Sequence, residues 1–257
     1  MNDENPTIRR LVFACDIVRY GRHDEFGQGE AQSALHTVLA QAAKDARLDR
    51  GLWSTQDQGD GELAALAAGM DEARVISEYF AALRNQLYQY NRKTAPAYRL
   101  RLRFAVHQGN TRLGPTGFVG DAPVHVCRLL DGAEPKKALL KAEDADIVLI
   151  VSSSIYEEVI AQNRFEPRAD EFRRVTVEHP EKAFRADAWI HLPNRIPPSE
   201  GTAKAEPRVP MDDDQRRDDP PVQFGGGDQL FSGSIDIDAG WVAQRDVHEV
   251  HEPRDGR

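Results

Sequence analysis

Cysteine is scarce in this sequence: Cys15 and Cys127 are the only two, each inside an apolar run and neither at a metal-ligand spacing. That excludes a disulfide framework and a thiolate zinc site, and leaves two reduced, packed thiols of the kind found in cytosolic proteins. Long hydrophobic runs are missing as well. No stretch approaches the ~18 apolar residues of a membrane span, and the polar start, residues 1–10, has no signal-peptide core. A cytoplasmic protein with no membrane partner is therefore expected. An excess of positive charge is also absent. The formal net charge of −9 argues against broad nucleic-acid binding, although a small anionic ligand needs only local donors and metals.

What is present is unevenly spread. Residues 8–193 are rich in aliphatic runs, a length sufficient for one core without staples, whereas 194–257 are not. The run 11–15 reads as a buried strand that ends on Asp16. A glycine- and charge-rich loop (21–29) precedes a helix from Glu30, with Ala31, Leu35, Val38, Leu39, Ala42 and Ala46 at helical spacing. Two extended arms around Gly59-Asp60-Gly61 predict a hairpin. A second helix is predicted over 71–91, a strand over 99–107, a short helix over 122–130, a strand over 146–151 and a serine-capped helix over 152–161. Strands at 172–177 and 186–192 close the series. Helices interleaved with strands, some joined by hairpins, indicate an α+β domain: a mixed, mainly antiparallel sheet flanked by helices.

The Pro-, Asp-, Arg- and Glu-rich stretch 194–222 cannot offset the entropy of ordering and reads as a linker. Beyond it, a tail (223–257) contains an alternating apolar and polar segment. Residues 229–247 of that tail suit strand addition to another copy or to an effector, or else have no partner.

Asp16 at a strand end and Asp60 in a neighbouring turn can converge on one cation site. Two carboxylates with no basic partner nearby are costly to hold together unless a metal neutralises them. Hard oxygen ligands suit Mg²⁺ or Mn²⁺ completed by substrate phosphates. Around these acids the sequence resembles the class III adenylate/guanylate cyclase family. Val12-Phe13-Ala14-Cys15-Asp16-Ile17-Val18 is similar to its first strand and Gln58-Gly59-Asp60-Gly61 to its hairpin. Arg101 to Gly109 is similar to its strand of the form R-x-G/A-x-H-x-G. Val119-Gly120-Asp121 followed by Val124-His125-Val126-Cys127-Arg128 is similar to its glycine-led helix ending in arginine. Gln-Gly-Asp-Gly and Arg-Leu-Leu-Asp further resemble a divergent actinobacterial group, and the tail resembles motifs that some bacterial signalling proteins use for homotypic β-stacking.

The resemblance implies the ferredoxin-like core of these cyclases over 8–193. It also implies conversion of a nucleoside triphosphate to a 3′,5′-cyclic nucleotide and pyrophosphate. Asp16 and Asp60 would hold two Mg²⁺ or Mn²⁺ ions, and Arg128 would act as the catalytic arginine, supplied across a homodimer. The loop from Ile17 would lend N–H groups to phosphate oxygens, Gly59 would line the substrate, and Lys182 would bind phosphate.

Three departures stand out. The family's adenine-reading lysine corresponds to Gln56, its acidic or polar partner to Gly117, and its ribose-orienting asparagine to Val124. Gln56 carries donors and an acceptor and can read guanine, uracil or cytosine edges. Pyrimidine cyclases of bacterial antiphage signalling also depart at the base-reading positions. His125, next to Val124, could substitute only through a one-residue shift, and adjacent helical side chains point about 100° apart, so it reads as a surface or packing residue; His107 reads as structural rather than as a proton carrier. Arg101 and Arg103 read as a solvated or dimer-facing stripe, and His248 with His251 lacks the further ligands of a metal site. A non-catalytic nucleotide-binding or scaffold module, recruiting an effector through the tail, is the alternative.

Overall fold

The computed structural model describes residues 6–193; the linker and tail expectations lie outside the described residues. Within them an eight-stranded sheet runs in the order β2-β3-β1-β4-β6-β8-β7, with β5 paired to β4. The strands are β1 (Ile8–Ile17), β2 (Ser54–Asp57), β3 (Gly61–Ala65), β4 (Leu102–Gly114), β5 (Gly117–Val119), β6 (Ile147–Ser152), β7 (Phe172–His179) and β8 (Phe184–His191). Every pairing is antiparallel except β4 with β6. This is the mixed, mainly antiparallel α+β architecture expected.

β1 is central because both its faces are apolar. Leu11, Phe13, Cys15 and Ile17 meet one layer, formed by α1 (Glu25–Asp45) and α3 (Phe80–Asn91). Val12 and Ala14 meet the other, formed by α4 (Asp121–Asp131) and α5 (Ala133–Lys141). Strand alternation sends successive side chains to opposite layers, so β1 forms the middle of two cores. Phe13 is fully buried and lies 4.9 Å from Phe104, 5.9 Å from Trp53 and 6.0 Å from Tyr79 between ring centroids.

Several boundaries differ from expectation for local reasons. α1 begins at Glu25 rather than Glu30, because the Asp24 side chain caps it by accepting from the Gly27 amide at 2.8 Å; the glycines at 27 and 29 lie inside the helix. The second helix contains a π turn, Val75–Tyr79, between α2 (Glu72–Arg74) and α3. Another π turn, Tyr156–Ile160, follows α6 (Ser153–Ile155). β4 starts later and runs further than 99–107, since its far end pairs with β5. Neither β5 nor α5 was anticipated. No helix among the described residues is long and apolar enough to cross a membrane.

Candidate active site

Asp16 continues the face of Val12 and Ala14, so it emerges toward the α4 layer where the apolar run of β1 ends. Gly61 sits opposite Asp16 in the β1–β3 register. A Cβ at Gly61 would lie 2.0 Å from the Cys15 carbonyl oxygen, so the hairpin reaches this distance from β1 only because residue 61 has no side chain. The Ile17 amide then donates to the Asp60 carbonyl at 2.8 Å, which fixes the Asp60 backbone beside the end of β1. The sequence reading had the Ile17 amide facing phosphate. It is instead used inside the protein, as is the Val18 amide, which donates to the Arg101 carbonyl at 2.8 Å. Ile17 closes the sheet, and the loop turns away only at Arg19, whose φ is +65°.

The electrostatics depart from expectation at Arg103. It lies opposite Asp16 in the β1–β4 register, and its guanidinium grips the carboxylate with both prongs, Nε to Oδ1 at 2.7 Å and a second contact to Oδ2. Both side chains are 13% exposed. Asp16 thus has the basic partner that the sequence reading denied it. Burial pushes its pKa up to about 6 against the opposing pull of Arg103, and the charges of Asp60 and Asp131 push the same way. Burial also raises the half-buried Asp60. Arg101 is likewise not part of a solvated stripe. It donates to the carbonyls of Leu139 (2.7 Å), Ala142 (2.6 Å) and Ala145 (2.8 Å), tying β4 to the end of α5 and the turn that follows it. Strand alternation puts Arg103 on the Ala105 face, the same layer as Asp16, and that was the sequence signal available for it.

Among the described residues no cluster of three or more His, Cys, Asp or Glu side chains could hold a metal ion. The protein can offer two carboxylates in mutual repulsion. That donor set fits Mg²⁺ or Mn²⁺, which keep most of their shell as water and substrate phosphate, provided that Arg103 yields its hold on Asp16.

Arg128 and Lys182 both lie by the β7–β8 turn. The Arg128 guanidinium lies 5.2 Å over the Phe184 ring, and its carbonyl contacts His179 Nε2 at 2.9 Å. Lys182 ends the Pro180–Lys182 turn between β7 and β8, and its charge reaches Cys127 on α4, where burial raises the thiol to about 11. Of the surface and packing readings of His125, packing is the one found: it stacks 4.1 Å from His107 and lies edge-on to Phe184 at 5.2 Å. His107 Nδ1 contacts Ser152 Oγ at 2.9 Å. Val124 is 47% exposed.

Gln56 and Gly117 are neighbours. Gly117 has φ +143°, and a Cβ there would lie 2.5 Å from Gln56 Oε1. The glutamine therefore fills the space that a side chain at 117 would take.

No protein-family model matches the sequence, and no curated protein sequence matches it either. Solved structures do. The guanylyl cyclase Cya2 superposes with a TM-score of 0.54 at 11% identity, over 75% of this chain and 98% of that one. An adenylate/guanylate cyclase/hydrolase from Silicibacter pomeroyi gives 0.52 at 16% identity, over 74% and 100%. A bacterial light-regulated adenylyl cyclase gives 0.52 at 11% identity, over 73% and 53%. At these identities the likeness is one of fold, and residues 6–193 have the fold of adenylyl and guanylyl cyclase domains.

Proposed function

We propose that this chain is a nucleotidyl cyclase, which converts a nucleoside triphosphate to a 3′,5′-cyclic nucleotide and pyrophosphate. The observation that carries the reading is the side-by-side placement of Asp16 and Asp60 by a glycine-dependent approach of hairpin to strand. Two Mg²⁺ or Mn²⁺ ions, when bound, would lower the pKa of the ribose 3′-hydroxyl and neutralise the triphosphate. Asp16 and Asp60 would hold their positions through β1 and the hairpin. Arg103, no longer needed by Asp16, would be the guanidinium adjacent to the triphosphate and would turn its hydrogen bonds to phosphate oxygens.

In the reaction the 3′-oxygen forms a bond to the α-phosphorus, the bond from that phosphorus to the bridging oxygen breaks, and the 3′ proton leaves to water. Arg128 of a second copy would meet the charge developing at the α-phosphate, with Lys182 beside it for the departing pyrophosphate. Exposed apolar side chains on β5 and α4 (Val119, Val124) support burial against a second copy. Gln56 next to a side-chain-free Gly117 supports a base other than strictly adenine, because one amide presents both donor and acceptor.

The test is incubation of the purified chain with each of ATP, GTP, CTP and UTP plus Mn²⁺, with products identified by mass spectrometry beside an Asp16→Ala, Asp60→Ala variant. A cyclic product from one triphosphate, absent in the variant, is expected. No cyclic product from any of the four, with the protein folded and dimeric, would favour the nucleotide-binding or scaffold reading, for which the exposed Val124 at the ribose-orienting position speaks.

A further inference from the structure

The turn that carries Asp60 has little packing to hold it. Gly59 sits at φ +78°, and a Cβ built there would meet nothing within 4 Å. Hydrogen bonds therefore fix the turn. On the β1 side the Asp60 carbonyl accepts from the Ile17 amide at 2.8 Å, and within the turn the Asp60 amide donates to the Gln58 carbonyl at 3.1 Å. The other side is held from α1. Gln32 Nε2 donates to the Gly59 carbonyl at 2.9 Å and to the Tyr20 hydroxyl at 2.8 Å. Tyr20 opens the short helical turn Tyr20–Arg22 in the loop that follows Asp16.

One side-chain amide thus ties together the two segments that border the paired carboxylates. The Gly59 carbonyl can only accept, which sets the Nε2 end of the amide toward it and leaves the second N–H for the hydroxyl. One turn earlier on α1, Gln28 Nε2 donates to the His23 carbonyl at 3.0 Å, which pins the far end of the same loop. Residues four apart lie on one helix face, so both glutamines act from the same side of α1. That helix is itself anchored, with Leu35, Val38 and Leu39 buried in the core beneath it. We propose that Gln32 is a positioning residue for the metal pair: it holds the Asp60 turn against the loop that leaves β1, so that Asp60 keeps the place beside Asp16 that shared ions require. This role rests on Asp16 and Asp60 being the metal ligands, and Gln32 acts on them through Gly59 and Tyr20.

Backbone order parameters of the full chain, measured by nitrogen relaxation without metal, read the tie directly. Gln32→Met keeps the side-chain length and removes both donors. It should lower Gly59, Asp60 and the turn Tyr20–Arg22 from about 0.85 toward about 0.6, whereas Tyr20→Phe should loosen the loop alone. Gln32 is exposed, so the melting temperature should hold within about 2 °C. Calorimetric titration with Mn²⁺ supplies the second readout. The affinity should fall about tenfold in Gln32→Met, as when an outer contact of a metal site is removed, and stay native in Ser33→Ala, beside it on α1. A weaker affinity at constant melting temperature is what a purely structural contact would not give. Unchanged order in the Asp60 turn, or native Mn²⁺ affinity in Gln32→Met, would overturn the proposal. A native chain that takes up no Mn²⁺ would overturn Asp16 and Asp60 as metal ligands, and this role with them; the metal-free order parameters tell that failure from a missing tie.

Discussion

Replacing Arg103 by methionine removes the partner of Asp16 and leaves the carboxylate where it is. Both side chains are 13% exposed, so solvent screens the loss little. Breaking a buried pair from one side costs about 3–5 kcal/mol. Asp16 can limit that cost by taking a proton, because burial already holds its pKa near 6 with Arg103 present. For a domain of this size each kcal/mol moves the melting temperature by roughly 2–4 °C, so a fall of about 6–20 °C is expected at neutral pH. Asp16→Asn should cost about as much, since it strands the equally buried Arg103 guanidinium, which cannot shed its charge. The informative arm adds Mn²⁺. In the native protein the ion must displace Arg103 before using Asp16; in Arg103→Met nothing needs to be displaced. Millimolar Mn²⁺ should therefore raise the melting temperature of Arg103→Met by more than that of the native chain, and that of Asp16→Asn by less than either. Far-UV circular dichroism melts of the three proteins, each with and without Mn²⁺, measure this. An equal Mn²⁺ effect on the native chain and Arg103→Met, or a full effect on Asp16→Asn, would refute the assignment of Asp16 as a metal ligand restrained by Arg103.

Other expectations follow from the same packing. Burial and, next, the neighbouring His125 depress His107 to about 3, below the unfolded value of about 6.5. Its contribution to stability is therefore complete above pH ~6.5 and lost as pH falls toward 3, with about 2 kcal/mol gone by pH ~5. Urea unfolding at the two pH values should show the native chain losing that much more than His107→Gln, and equal losses would contradict it. Phe13→Ala opens a cavity between three aromatic rings and should cost about 3–5 kcal/mol, read as a shift in the urea midpoint. A loss under 1 kcal/mol would mean that Phe13 is not packed among these rings as described. Gly117→Ala drives a methyl into Gln56 and should alter the relative turnover of the four triphosphates; an unchanged preference would remove Gln56 from base reading.

The parts of the site that could be read from the sequence are those made by short-range patterns. Leu11 to Cys15 followed by Asp16 says strand and strand end, and Gly59-Asp60-Gly61 says turn. Contacts set by register between distant strands were harder. Arg103 meets Asp16 only because β1 and β4 pair over ten residues, and local composition cannot tell an ion pair from a solvated stripe. α5 went unread because Pro135, Lys136 and Lys137 look like loop, and it buries only Pro135, Ala138 and Leu139. The start of α1 was obscured by glycines that a single capping aspartate overrides. Gly117 was read as a lost side chain; in the fold it makes room for Gln56.

The Asp16–Arg103 contact also bears on how the chain reaches its folded state. The two residues are 87 apart in sequence, while helices such as α1 and α3 form from neighbours. Closing a loop of that length precedes any gain from the contact, and folds dominated by such pairings form more slowly than helical ones. The pairing of the central strands is therefore expected to follow the start of helix formation, with the acid at the end of β1 gaining its partner late. A spectroscopic label at this position is expected to change late in refolding, and an early change would contradict that order.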